Sequence, residues 1–275
     1  MNAPRPLGFF GTCRESARQT LLRLRHHRVW TFVVIGAVLM AGIAWLVGNR
    51  VGDRETGRGV YCLLAWWVQA TVVMPWLTLY LGVQALHGGL EDRTFQYLFL
   101  RPVPRVALLL GNWLAVSLVG ALVGGLGSVA LFVGLAGQAD LWPDGVDTRL
   151  CIVFARTCAI GAVAYAAAAM FFSAWFRRPL VWAAFFVVGL QQVTANLPVS
   201  AGLRQATITD PLRRLLLDGI EPDARLARDL WPAESAFRPE LIGTPWLDLG
   251  LFIVVALGLA AWAYHRTEYD SRLRD

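Results

Sequence analysis

Lysine is missing from this chain: all 25 basic residues are arginine, and charged residues make up only 16% of the 275. Charge this sparse, set against 56% hydrophobic residues, excludes a water-soluble enzyme and a disordered chain. Cysteine is scarce too. Cys13, Cys62, Cys151 and Cys158 form no CxxC pair, and the last two stand seven apart on one expected helix, too distant along it to bridge. A disulfide-stapled module is therefore excluded, and the four read as small apolar residues. The only histidines, His26, His27, His87 and His265, lie at or outside the edges of the apolar runs. An intramembrane enzyme would need paired acids, a metal cluster or an activated nucleophile within those runs, and no such constellation is present. The pattern G-x-x-x-x-G-K-[ST] is absent as well, so no P-loop can cradle nucleotide phosphates.

What the chain does have is length in its apolar runs. Six are long enough to span a bilayer, which takes about 18 residues with few charges: Val29–Gly48, Val60–Leu86, Val106–Gly137, Leu150–Phe176, Leu180–Leu197 and Trp246–His265. Together they cover just over half the chain. Barrel strands are too short and too alternating to produce them. The expected fold is all-α: a polytopic membrane protein with six transmembrane helices. It divides into residues 1–28 at the inner surface, a membrane domain over 29–265 and a tail over 266–275. A leader of 28 residues and an apolar run of 20 both exceed the cleavable-signal pattern, whose apolar core is about 7 to 15 residues, so the first span is expected to be retained.

Orientation follows from where the arginines sit. With the N-terminus inside, the inner segments carry 14 Arg against six acids, and the outer segments ten Arg against twelve acids. Short loops decide, and the Arg cluster before Val29 and the pair Arg177-Arg178 place both termini in the cytoplasm of a cell inner (plasma) membrane. A nucleic-acid partner is not expected, since no basic stripe is interleaved with exposed stacking aromatics.

Residues 8 to 28 read as an interfacial amphipathic helix. Phe10, Cys13, Ala17, Leu21 and Leu24 recur at helical spacing, and Arg14, Arg18 and Arg25 flank them within reach of lipid headgroups. Pro75 in the second run removes one backbone hydrogen bond and predicts a kink. The third run, at 32 residues, either tilts or extends into the cytoplasm. Gly120, Gly124, Gly125 and Gly127 in it, and Ala159, Ala162, Ala166 and Ala169 in the fourth, predict close helix approach. In the last outer loop, 198–245, Asp210-Pro211 reads as an N-cap with proline at the first helical position. Leu212, Leu215 and Leu216 share a face, Gly219 ends the segment, and a second short helix is expected from Pro222 to Trp231. Such helices are expected to lie in the outer interface or to dock a periplasmic partner.

The second and third runs are joined by His87-Gly88-Gly89-Leu90-Glu91-Asp92-Arg93-Thr94-Phe95-Gln96-Tyr97-Leu98-Phe99-Leu100-Arg101-Pro102-Val103-Pro104-Arg105. The glycines can end one span, the acids suit a helix N-terminus, and the prolines separate that helix from the next span, which predicts a short, stiff cytoplasmic helix. The sequence here resembles the permease subunits of type-2 ATP-binding cassette exporters. In that family an acidic pair, then Arg or Gly with Thr, leads to Leu-x-Arg-Pro-Val-x-Arg, and a glycine opens the third span. This chain shows Glu91-Asp92-Arg93-Thr94, Leu98 to Arg105, and Gly111. Asn112 stands where the family often has lysine, and the last outer loop is longer than in the simplest members.

The resemblance implies an exporter permease that works with a second permease copy, as homodimer or heterodimer. It also implies two copies of a separate ATPase that hold the ATP and magnesium, with no cofactor in this chain. Glu91, Asp92, Arg93, Thr94, Tyr97 and Arg101 would form the ATPase-coupling element. The competing reading is a membrane scaffold for a periplasmic maturation complex, motivated by the long outer loop. Polar residues inside the runs are candidates for the translocation path: Arg156, expected to pair with Asp248 or to meet an anionic substrate, and Gln191, Gln192, Thr194 and Asn196 in the fifth run.

Overall fold

The structure is a computed structural model that describes residues 8–26, 29–51, 57–91, 104–138, 141–142, 147–193, 207–220 and 244–266. Among these residues every regular element is helical: α1 Phe9–His26, α2 Val29–Val51, α3 Gly57–Leu63, a π-helical stretch Leu64–Val73, α4 Met74–Glu91, α5 Arg105–Ala136 and α6 Thr148–Trp175. Then follow α7 Pro179–Phe185, a second π-helical stretch Phe186–Val193, α8 Thr209–Gly219 and α9 Pro245–Arg266. Among the described residues, five helices are long and apolar enough to cross a membrane: α2, the continuous column Gly57–Leu86, α5, α6 and α9.

Helix α5 shows where the bilayer lies. Leu114, Leu118, Leu122, Leu126, Val129 and Val133 are all exposed and recur every three or four residues along one face. At 1.5 Å per residue this stripe is about 28 Å long, which matches a hydrocarbon core of about 30 Å. The opposite face of α5 packs antiparallel on α6. Gly120 faces Ala162, and a methyl group added at Gly124 would stand 3.0 Å from the Cys158 Cβ. Small residues therefore let the two backbones approach, as the glycine and alanine spacing predicts. Gly127 differs: it makes room for the side chain of Gln69, whose Nε2 donates to the Gly124 carbonyl at 3.3 Å.

Helices α1 and α9 begin and end at the same end of the bundle, where Leu24, Leu109, Val116, Met170, Ala263 and Tyr264 share one apolar cluster. We call this the terminal side and the opposite end the distal side. On the distal side a larger cluster is built around Tyr61, Trp66, Phe154, Leu131 and Leu216.

The face by which α1 docks differs from the expected apolar stripe. Thr12, Ser16, Thr20 and Leu24 are the buried positions, whereas Phe10 is 86% exposed. Ser16 Oγ donates to the Leu108 carbonyl at 3.1 Å, and Asn112 Oδ1 accepts from Ser16 at 3.1 Å and from Thr20 at 2.6 Å. Gly111 makes the crossing possible, since a Cβ there would lie 2.5 Å from the Cys13 carbonyl oxygen. Hydrogen bonding needs hydroxyls on the protein-facing side, so the apolar residues are displaced to the flank.

Around Pro75 the backbone widens into the π-helical stretch that ends at Val73, and the Met74 N–H bonds to the Gln69 carbonyl five residues back. Proline has no N–H to donate, and in an α-helix its ring would strike the carbonyl four residues earlier. The wider register relieves that contact.

Candidate functional site

The expected fifth run, 180–197, is described only as far as Val193, in two short pieces of 7 and 8 residues. The two are continuous, since Phe186 after α7 is itself helical, and they rise from the turn after α6, where Pro179 starts α7, to bring Gln191 beside the start of α8. Gln191 makes the junction. It is 1% exposed, and its Oε1 accepts from the Ile208 N–H at 3.0 Å, the Thr209 N–H at 3.2 Å and the Thr209 hydroxyl at 3.0 Å. A side chain of the fifth run thus caps the N-terminus of α8 and satisfies donors that a helix start leaves open.

Contacts along α6 give the depth of α8. Thr209 lies by Tyr165, with hydroxyl oxygens 3.5 Å apart, Leu212 packs at Gly161, the midpoint of α6, and Gly219 packs on Val153. Helix α8 therefore starts beyond the middle of the bundle and runs to the distal side, and every residue from Thr209 to Leu216 is buried. This corrects the expectation that its leucines lie on the outer interface. The capping expectation is corrected too: Ile208 takes the N-cap position, and Asp210, within the first turn, turns its carboxylate to Arg214. Thr207 Oγ1 accepts the Asp210 N–H at 3.3 Å instead.

Burying α8 brings its charges inside. Arg214 pairs with Asp210 on its own helix and reaches Asp248 of α9 at 3.4 Å. Arg213 lies over the Trp66 ring, its guanidinium carbon 5.4 Å from the centroid. Charges at this depth are costly unless paired, and they mark functional positions more often than structural ones. Three further atoms add to this: Gln69 Oε1, Trp66 Nε1 and Gln191 Nε2 are buried with no hydrogen-bond partner among the described residues. Each such group costs about 1–3 kcal/mol, and native structures retain few of them.

A family model described as ABC-2 family transporter protein matches residues 21–190. The chain is also 30% identical over 268 residues to the probable ABC transporter permease protein NosY of Pseudomonas aeruginosa, covering 88% of this chain and 94% of that protein. The chain belongs to the ABC-2 transporter family.

Within this ABC-2 permease, the candidate residues fall in different places. Asp248 joins the buried ion group, but with Arg214 and not with Arg156. Arg156 is exposed and lies over the Trp246 ring at 5.6 Å, so the expected Arg156–Asp248 pair is not formed. Gln191 stands at the junction. Gln192 follows it in the π-helical stretch, its side chain undescribed, and Thr194 and Asn196 lie outside the described residues. Of the coupling element, Glu91 closes α4, while Asp92, Arg93, Thr94, Tyr97 and Arg101 lie outside the described residues, as does the expected helix from Pro222 to Trp231. Sequence reasoning passed over Trp66, Gln69, Tyr165, Arg213 and Arg214. The available signal was the pair Arg213-Arg214 set amid Leu212, Leu215 and Leu216, four residues after Asp210. A purely interfacial helix has no need of arginine on its apolar face.

Proposed function

We propose that this ABC-2 permease forms half of an export path whose distal part is closed by α8. The observation that carries this reading is the contact at Gln191, whose side chain caps the start of a second helix buried inside the bundle. Helix ends buried in transporters place polar backbone and side chains at depth in the membrane, where a passing solute can use them. Here the polar groups come from four directions: Gln69 and Trp66, Gln191, Asp248, and α8 itself. In this reading α8 is the movable part, because beside its apolar packing it is held by an ion group and one glutamine cap, polar contacts that can be exchanged for others.

The terminal side faces the cytoplasm, consistent with the arginine asymmetry, and the 90–105 segment enters α5 there. Two copies of a separate ATPase, which bind ATP and magnesium, dock on that segment, and a second permease copy completes the path. The scaffold reading would present α8 outward to a partner. Its burial favours the transporter.

A disulfide tests this directly. A Cβ at Gly219 would lie 3.6 Å from the Val153 Cβ, within the span of a disulfide. In a background with the four native cysteines replaced, Val153→Cys with Gly219→Cys is expected to lock α8 when oxidised. Transport in vesicles with the co-expressed ATPase should stop and return on reduction. Full transport by the oxidised protein would exclude α8 as the closing element.

A further inference from the structure

We infer that the turn between α6 and α7, with the end of α9, forms a binding site for an anionic diacyl phospholipid. Trp175, near the end of α6, stacks on Trp262 of α9 with ring centroids 5.4 Å apart and 23° between planes. The Arg266 guanidinium lies over the same Trp262, 4.3 Å from its centroid. Arg177 and Arg178 follow Trp175 in the turn itself, and the backbone of Phe176 closes α6 with an N–H to the Phe172 carbonyl at 3.0 Å. Phe176 in turn stacks on Trp182, with centroids 4.7 Å apart, and fixes the first turn of α7.

Three arginines thus gather beside a rigid aromatic base at one end of the membrane helices, with Arg266 resting on it and Arg177 and Arg178 exposed in the adjoining turn. The aromatics set the depth: tryptophan rings prefer the headgroup level, so the cations stand where lipid phosphates are. The Arg266 guanidinium, already held over a ring, loses less freedom when it takes a phosphate oxygen, and an arginine fork suits a phosphate oxygen pair. Next to the cations runs an uncovered apolar wall. Leu180, Val181 and Phe185 on α7 and Val255 and Leu259 on α9 are exposed, and acyl chains are the solvent this face requires. Positive charge beside apolar wall matches one occupant, a phospholipid with a net negative headgroup. The position also has a consequence. The same turn starts the helical segment that carries Gln191, so a lipid bound there braces its base.

Native mass spectrometry of the full chain, equilibrated in detergent with equal phosphatidylglycerol and phosphatidylcholine, tests the site. Wild type is expected to retain phosphatidylglycerol in excess. Each interfacial arginine contributes roughly fivefold to anionic headgroup affinity at low salt, so Arg178→Gln with Arg266→Gln should reduce that excess by about 30-fold. The charge-keeping pair Arg178→Lys and Arg266→Lys should lose less and reports on folding, and Arg50→Gln, at the opposite end of the bundle in the last turn of α2, should leave the excess unchanged. Equal retention of the two lipids by wild type would overturn the inference, as would an equal loss in the Arg50 variant. Glu268 and Asp270 follow Arg266 in sequence. An excess that emerges only after both are neutralised would assign the arginines to an internal pair and overturn it too.

Discussion

Gln191 and Thr209 are 18 residues apart in sequence, yet one oxygen of the first accepts both the backbone N–H and the hydroxyl of the second. Removing that oxygen strands buried donors at a helix start. Gln191→Leu is therefore expected to lower stability by about 2–4 kcal/mol, from two or more unsatisfied groups. Gln191→Glu keeps an acceptor at the positive end of α8 and should lose less. Thermal unfolding of the two variants in the same detergent decides it. If they melt together, the cap is not what holds α8.

The buried ion group makes an asymmetric prediction. Arg214→Gln leaves Asp210 and Asp248 facing each other without a cation, at a cost of about 3–5 kcal/mol. Asp248→Asn removes the longer of the two contacts and leaves the Arg214–Asp210 pair in place, so it should cost less. Neutralising all three together should cost less than the sum of the single changes, because no uncompensated charge is left. Arg156→Gln loses only an exposed cation–ring contact, about 0.5–1 kcal/mol. Melting temperatures of this series would reject the grouping if Arg156→Gln proved as damaging as Arg214→Gln.

Two neighbouring glycines of α5 should respond in opposite ways. A side chain at Gly127 would strike the Gln69 carboxamide, while one at Gly125 meets nothing within 4 Å. Gly127→Leu is expected to destabilise by about 1–3 kcal/mol through overpacking and to expel Gln69 from its place beside Gly124. Gly125→Leu should be neutral or mildly stabilising, since glycine is a poor helix former. Unfolding measurements with matched insertion levels separate the two.

The long spans were legible because their signal is local. Pro104 fixes where α5 starts, and an apolar run with few charges can do little but cross the bilayer, so α5, α6 and α9 begin within two residues of their expected positions. The site was not legible because each of its defining contacts is distant in sequence. Asp248 lies 34 residues from Arg214. Without that pairing, charge alone does not set Arg213 and Arg214 apart from the other arginines of the loop. Depth alone suggested Arg156 as the partner of Asp248, but a helix from the loop supplied a cation from inside the bundle. The hydroxyls of α1 misled in the same way: Thr12, Ser16 and Thr20 look like a polar outer face until Asn112 supplies the acceptor.

The segment that precedes α5 carries the last prediction. It shows the acidic pair and the Leu-x-Arg-Pro-Val-x-Arg stretch of the permease family, and it enters α5 at Pro104, whose fixed φ and missing N–H make a firm start. Helix α5 is tied within its first eight residues to α1 through Leu108, Gly111 and Asn112. A push delivered at the segment by an ATPase would thus move α1 and α5 together as one body. Charge complementarity sets partner choice at such a contact, and a like charge opposed across it costs several kcal/mol. Glu91→Lys with Asp92→Lys is therefore expected to leave insertion and melting temperature unchanged while weakening recovery of the co-expressed ATPase by at least about 30-fold, equivalent to roughly 2 kcal/mol. Hydrolysis should then no longer respond to the permease. An unchanged complex and unchanged ATPase stimulation in the double variant would remove the segment as the docking element and leave α1, whose Arg14 and Arg18 are exposed on that side, as the surface to examine.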